Sequence, residues 1–263
     1  MAAQRIDEEA GVTSEQKEQF DRDGFFVLES TGCPDDLLDR ILADLETLYG
    51  PPREENGVVY RRKRVRNAWK LSENVRALAL APTVLKILEE LYGRKPLALQ
   101  TLNFKVPTEQ RPHSDAMHFN SAPRGYMCGV WVALEDIDMD NGPLVYYPGS
   151  HKLPEPSIEE AVPIDQRDYP DFQSFMSERE RRYEDYVAGL VESQGLEPQY
   201  GTIRRGEAIF WASHLLHGGA ACKDPGRSRH SQVTHYFFEG CRYYNPMVSL
   251  KSNISWLDPE WVS

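Results

Sequence analysis

The sequence predicts an α+β, mainly β chain whose core is a jelly roll with flanking helices and a helical insert, and three features of the 263 residues carry that reading. Helical periodicity is confined to the first 95 residues, short β-type segments bounded by turn residues begin at Pro96, and a Glu-, Arg- and Gln-rich helical stretch interrupts them over 155–199. The whole, 1–263, is read as one domain: N-terminal helices 1–95, a jelly-roll core at 96–154 and 200–242, and the insert between.

Taken in order, Thr13 and Ser14 precede EQKEQFDRDG, whose acidic first turn and closing Gly24 predict a short capped helix. The strand FFVLES follows. From Pro34 to Tyr49, Leu37, Leu38, Ile41, Leu42, Leu45 and Leu48 recur at three- and four-residue steps, the pattern of an amphipathic helix packed on a sheet. A second helical stretch runs from Ser72 to Tyr92 and stops at Gly93. Beyond it come the strand-like segments LALQTLNFKV, YMCGVWVALEDI, GPLVYYPGSH, GTIRRGEAIFWA and RHSQVTHYFFEG. Within the insert, RERRYEDYVAGLVES has helical length and propensity, while the tail from Arg242 shows no clear period.

Composition excludes several function classes. The net charge of −11 repels a phosphate backbone, so nucleic acid is not expected as a partner. One basic run, Arg61, Arg62, Lys63, Arg64 and Arg66, stands against that background; a solvated surface segment is its plain reading, and contact with an anionic substrate group the alternative. Cys33, Cys128, Cys222 and Cys241 are far apart, without a Cys-x-x-Cys pair, which fits a reduced, cytoplasmic setting. No apolar run reaches bilayer length, and MAAQRIDEEAG lacks an apolar targeting core, so neither membrane nor export is expected. The oligomeric state is not legible.

Chemistry concentrates in RPHSDAMHF. On an extended segment His113 and Asp115, two apart, project from one face and can share one ion. Two histidines and one carboxylate on one side of a metal hold iron(II) while leaving positions open for small molecules. The second histidine must come from elsewhere. His217 is preferred, because it ends a strand-like run and precedes Gly218 and Gly219, which allow a close backbone approach; His214 is its rival, and on an extended segment the two face opposite ways. NGPLVYYPGSH reads as a pair of turns, which leaves His151 out of the ligand set.

Several runs, in this order and spacing, resemble the phytanoyl-CoA dioxygenase family of iron(II)- and 2-oxoglutarate-dependent oxygenases: SEQKEQFDRDGFFVL, QTLNFKVPTEQRPHSDAMHF, GVWVALEDIDMDNGPLVYYPGSHKLP, GEAIFWASHLLHGGA and RSRHSQVTHYFF. The likeness covers nearly the whole chain and is weakest over 155–200 and in the tail. It implies a double-stranded β-helix, a cupin-like jelly roll, with His113, Asp115 and His217 as catalytic metal ligands and O₂ as oxidant. It also implies an arginine beyond the distal histidine for the far carboxylate of 2-oxoglutarate: Arg229, with Arg227 as runner-up. A guanidinium suits that task because its fork meets a carboxylate with two parallel bonds. By the same resemblance Trp131 lies beside the co-substrate, and Asn103 and Lys105 lie on a strand expected to line the pocket.

Two departures stand out, Ala116 after the ligand aspartate and Gly219 where relatives often carry a hydroxyl. Retention of Asp115 argues against halogenation, which the family achieves by replacing that carboxylate. The expected reaction is oxidation, by default hydroxylation, of a C–H bond in a small organic molecule, with slight preference for secondary metabolism. Desaturation, cyclisation and epimerisation stay open. So do a non-redox metal-dependent hydrolase or isomerase, which has no need of a clamp such as Arg229, and a non-catalytic ligand-binding jelly roll. Tyr169, Phe172, Phe175, Tyr183 and Tyr186 make the insert a candidate lid, with surface packing the alternative.

Overall fold

The computed structural model of the chain describes residues 11–51, 53–55, 58–60, 63–250 and 253–263, with the backbone alone at 53–55 and 58–60. The first ten residues and Arg61 and Arg62 of the basic run therefore lie outside the described part.

The described residues up to Gly50 fold as the sequence predicts. Helix α1, Ser14–Asp23, is capped by Thr13 in a reciprocal pair with Gln16 and closed by Gly24 at φ 84°. Strand β1, Phe25–Leu28, follows, then α2, Asp35–Tyr49. A hairpin of β2, Arg53–Glu55, and β3, Val58–Tyr60, leads to the short β4, Arg64–Arg66. The single helix expected from Ser72 to Tyr92 is two: α3, Glu73–Ala79, and α4, Pro82–Tyr92. Pro82 is the cause: it has no N–H to donate and disfavours helical backbone at Ala81, but it suits the first position of a new helix.

The β region supplies β5, Pro96–Phe104, β6, Asn120–Ala122, β7, Met127–Ala133, and β8, Leu144–Tyr146. After the insert, with α5, Ile158–Ala161, and α6, Phe172–Ser193, come β9, Gln199–Gly201, β10, Ala208–Ala212, β11, His217–Gly219, β12, Ser231–Phe238, and β13, Arg242–Tyr244. Six strands pair in the order β1-β10-β7-β12-β5-β4, three in the order β11-β8-β9, and all named pairs are antiparallel. This is the jelly roll, extended beyond the expected core, since β1 and β4 come from the N-terminal 95 residues and form the two edges of the large sheet.

Side-chain parity divides the large sheet into two faces. Phe26, Cys128, Val130, Val132, Phe210, Tyr236 and Phe238 pack beneath Leu38, Ile41, Leu45, Val75, Ile87 and Leu88 of the helices. The opposite face presents Phe25, Trp131, Ile209, Trp211 and Val233 toward Tyr146 of the small sheet. Every residue of β7 and β12 is buried, because both faces are covered. The site is built on the second face. Among the described residues no helix is long and apolar enough to cross a membrane.

Candidate metal centre and its pocket

His113 lies between β5 and β6 and is tied to the first residue of β11 by two backbone bonds, His113 N–H to the His217 carbonyl at 2.9 Å and His217 N–H to the His113 carbonyl at 3.0 Å. The two imidazoles therefore face each other, ring centroids 4.5 Å apart. Ser114 is extended, and Asp115 opens a 3₁₀ turn, so a single bridge and a turn replace the continuous strand expected at this point. The carboxylate still returns to the same side, Oδ1 at 3.8 Å from His113 Nε2 and Oδ2 at 3.8 Å from His217 Nε2. His113, Asp115 and His217 each offer a ligand atom within 4.8 Å of the others, and all three are buried.

The tautomers are fixed by the backbone. Each histidine donates its Nδ1–H to a carbonyl two residues earlier, Arg111 for His113 and Leu215 for His217, both at 3.0 Å, which leaves the Nε2 lone pairs directed to the shared space. Burial, reinforced by the neighbouring His217, pushes the His113 pKa down to about 4, so its imidazole is neutral and able to ligate. Burial alone would raise the Asp115 carboxyl, but His217, His235 and His113 together outweigh it and hold the group well below the usual carboxylate range. Two imidazoles and one carboxylate in a buried cleft fit a divalent iron.

The His113 shift carries a stability consequence. Between its ordinary value of 6.5 and about 4 the unfolded chain binds a proton that the folded one refuses, so metal-free protein loses stability as pH falls through that window. Calorimetry of chelator-treated protein should show Tm falling from pH 6.5 toward 4, with a shallower decline in His113→Asn. A flat profile would contradict the assigned protonation state.

What holds Asp115 is a cross-strand row that sequence reading missed. Trp211 on β10 pairs with Gly129 on β7, Gly129 pairs with His235 on β12, and His235 pairs with Gln100 on β5. Trp211 donates its indole N–H to Asp115 Oδ2 at 2.8 Å, and His235 Nε2 stands 3.4 Å from the same oxygen. The Gln100 side-chain amide donates to His235 Nδ1 at 3.0 Å, so the Nε2–H of His235 is the one facing Asp115. Gly129 makes this possible, since a Cβ there would lie 2.1 Å from the Trp211 ring. We expect Gly129→Ala to displace the indole, cost about 1–3 kcal/mol in stability by overpacking, and weaken metal binding by about 10–100-fold through loss of the Asp115 support. Thermal unfolding and metal titration measure the two effects separately.

The cavity that the triad lines measures about 370 Å³, and Arg229 and Trp131 line it too. Arg229 precedes β12, is 4% exposed, and has its guanidinium 5.4 Å from the rings of both Phe104 and Trp131. Among the described residues no carboxylate pairs with it, and neither its Nε nor the Trp131 indole N–H has a hydrogen-bond partner. Burial pulls its pKa down to about 10, which leaves it cationic at neutral pH. A buried cation with no carboxylate partner among the described residues, beside an orphaned donor, marks the place of an anionic ligand.

Other expected residues lie elsewhere. Gln100, Leu102 and Phe104 of β5 face the cavity, and Asn103 is therefore turned to the helix side, where it donates to Gln232 at 3.0 Å. Lys105, just past the strand, is held at the surface by Glu46 at 2.6 Å. Arg227 pairs with Asp138 at 2.8 Å on the surface. His217 does not end the strand-like run: β10 stops at Ala212, a turn crosses to the small sheet, and His217 begins β11. That turn leaves His214 beside Glu155 at 3.1 Å, outside the triad. A Cβ at Gly218 would come within 2.6 Å of the Gln110 carbonyl, so the backbone that this glycine admits is that of the His113 loop rather than a ligand. His151 stays out of the site, with Nε2 3.3 Å from the Asp21 carbonyl.

Helix α6 meets the site through Glu180, Tyr183 and Glu184, which line the cavity. It also anchors the metal loop: Ser114 N–H donates to the Tyr183 hydroxyl at 3.2 Å, and Arg111 pairs with Asp185 at 2.9 Å. Phe175 and Tyr186 pack within the insert, and Phe172 is half exposed, so of the insert's aromatics only Tyr183 reaches the cavity.

With this geometry established, comparison with known proteins is informative. A family model described as phytanoyl-CoA dioxygenase matches residues 20–231. The peroxisomal phytanoyl-CoA dioxygenase of Rattus norvegicus is 23% identical over 267 aligned residues, covering 93% of this chain and 74% of its own. A Danio rerio phytanoyl-CoA dioxygenase domain-containing protein is 43% identical over a shorter stretch of 75 residues, 27% of this chain and 26% of its own. Among solved structures, the non-haem α-ketoglutarate-dependent epimerase SnoN superposes with a TM-score of 0.64 at 19% identity, covering 95% of this chain and 97% of that one. Iron-bound EctD from S. alaskensis does so with a TM-score of 0.63 at 19% identity, covering 93% and 83%.

Proposed function

The chain belongs to the phytanoyl-CoA dioxygenase family of iron- and 2-oxoglutarate-dependent oxygenases, and from that premise we propose that His113, Asp115 and His217 hold iron(II), that Arg229 binds 2-oxoglutarate, and that the enzyme hydroxylates a small organic molecule. The single observation that carries the co-substrate assignment is that Arg229 is buried, without a carboxylate partner among the described residues, in the same cavity as the triad. Its guanidinium forks onto the far carboxylate, while Trp131 and Phe104 flank it and keep water away. His113 and His217 turn their Nε2 atoms to the shared space, and Trp211 occupies Asp115 Oδ2, which leaves Oδ1 as the freer ligand oxygen. Iron(II) bound with 2-oxoglutarate supplies, on reaction with O₂, the oxidant for a substrate C–H bond while the co-substrate becomes succinate and CO₂.

Hydroxylation is the outcome we assign, as the one that asks no further group of the protein. Product mass tests it: one oxygen gained for hydroxylation, two hydrogens lost for desaturation or ring closure, no change for epimerisation. We place the substrate among small molecules, in secondary metabolism, rather than among CoA thioesters, because the cavity is modest and the chain carries a net −11. All four cysteines are free, in keeping with a cytoplasmic setting.

Succinate formation from 2-oxoglutarate and O₂, by wild type and by His113→Ala and Arg229→Ala, tests the reading. Iron-dependent succinate that both variants lose supports it. Preference for zinc with no succinate in any condition would return the triad to a hydrolytic or structural role.

A further inference from the structure

Strand β4 places two arginines of the basic run at the cavity. It is the edge strand of the large sheet, and its register sets Arg64 opposite Phe104 and Arg66 opposite Leu102, both cavity residues. Val65 between them is buried in the helix-side core, so alternation turns Arg64 and Arg66 to the cavity, which both line. Among the described residues neither has an acidic partner, although most arginines that the structure describes do. Two like charges on one face of a strand repel each other, and an anion between them relieves that repulsion.

The pair is distinct from Arg229. That residue is buried beside Trp131 and Phe104, whereas Arg64 and Arg66 are exposed, on the outermost strand. The wall contributed by α6 is acidic, through Glu180 and Glu184, and Glu184 is shared with Arg111. The cavity lining is thus basic at β4 and acidic at α6.

We propose that Arg64 and Arg66 form the anion subsite for the primary substrate, which is therefore a small molecule bearing a carboxylate or a phosphate monoester, with its neutral or cationic end toward α6. This rests on the oxygenase reading for the word substrate, but not for the binding itself. The test is calorimetric titration, under argon, of protein loaded with iron(II) and 2-oxoglutarate, and of metal-free protein, using phenyl phosphate, phenylacetate and the neutral benzyl alcohol. Wild type should bind at least one anionic probe about tenfold or more tightly than benzyl alcohol, and the tighter of the two anions identifies the group. Arg64→Ser/Arg66→Ser should abolish that preference while changing 2-oxoglutarate affinity less than about twofold, and Arg64→Lys/Arg66→Lys should retain part of it. No preference in wild type, or one that survives in the serine variant, would overturn the inference. Equal loss of 2-oxoglutarate binding in the serine variant would also overturn it, by assigning the pair to the co-substrate. If wild type binds no 2-oxoglutarate, the oxygenase reading fails, and the metal-free titrations still decide the subsite.

Discussion

Replacing Asp115 by alanine is expected to abolish stoichiometric iron binding. The carboxylate is the only anion of the triad, and it also sits within reach of three imidazoles and the Trp211 indole. Removing one partner from a buried, charge-compensated cluster costs about 3–5 kcal/mol, or roughly 150- to several-thousand-fold in affinity. Trp211→Phe keeps the ligand and removes only its indole N–H, so its loss should be smaller, about 10–100-fold. Iron content after anaerobic loading and desalting, with competition against a chelator of known affinity, measures both. If Trp211→Phe binds as wild type does, the indole bond to Oδ2 contributes nothing to orienting the carboxylate.

Arg229→Met is expected to separate stability from function. The guanidinium is buried without a carboxylate partner among the described residues, so the apo protein bears a desolvation cost that methionine removes. The Tm of the metal-free protein should therefore stay level or rise. Co-substrate affinity should fall by about 2–5 kcal/mol, roughly 30- to several-thousand-fold, because a buried charged pair loses one member. In wild type, 2-oxoglutarate at about a hundred times its Kd should add about 2.7 kcal/mol of stability, and the methionine variant should lose that increment. Arg229→Lys should fall between, since an ammonium cannot reproduce the fork. A large drop in apo Tm would instead make Arg229 a structural residue.

The contrast between what was legible in the chain and what was not follows from distance along it. His113 and Asp115 are two residues apart, so a local rule brings them together whether the intervening backbone is a strand or, as here, a bridge and a turn. Arg229 was reached through resemblance, and its burial gives that placement a physical basis. Trp211, Gly129 and His235 come from three strands and meet only because register aligns them, which no single segment encodes. Asn103 and Trp131 show the same limit from the other side: each lies in a strand that is recognisable at once, but the parity deciding which face it takes is set by the neighbouring strands. On β5 a register shift between the partners of His235 and Tyr236 turns Gln100 to the site and Ala98 to the helices, two residues apart yet on opposite faces. The strand FFVLES was clear in sequence, but its place beside β10, at the edge of the large sheet, was not. Pro82 was a readable break that the strong apolar period around it concealed.

The most direct test is anomalous diffraction at the iron edge from crystals grown anaerobically with iron(II) and 2-oxoglutarate. The expected result is one iron peak in contact with His113 Nε2, an Asp115 oxygen and His217 Nε2, with the far carboxylate of 2-oxoglutarate on the Arg229 guanidinium. Iron ligated by His235 or His118 in place of a triad member, or 2-oxoglutarate bound away from Arg229, would contradict the site described here.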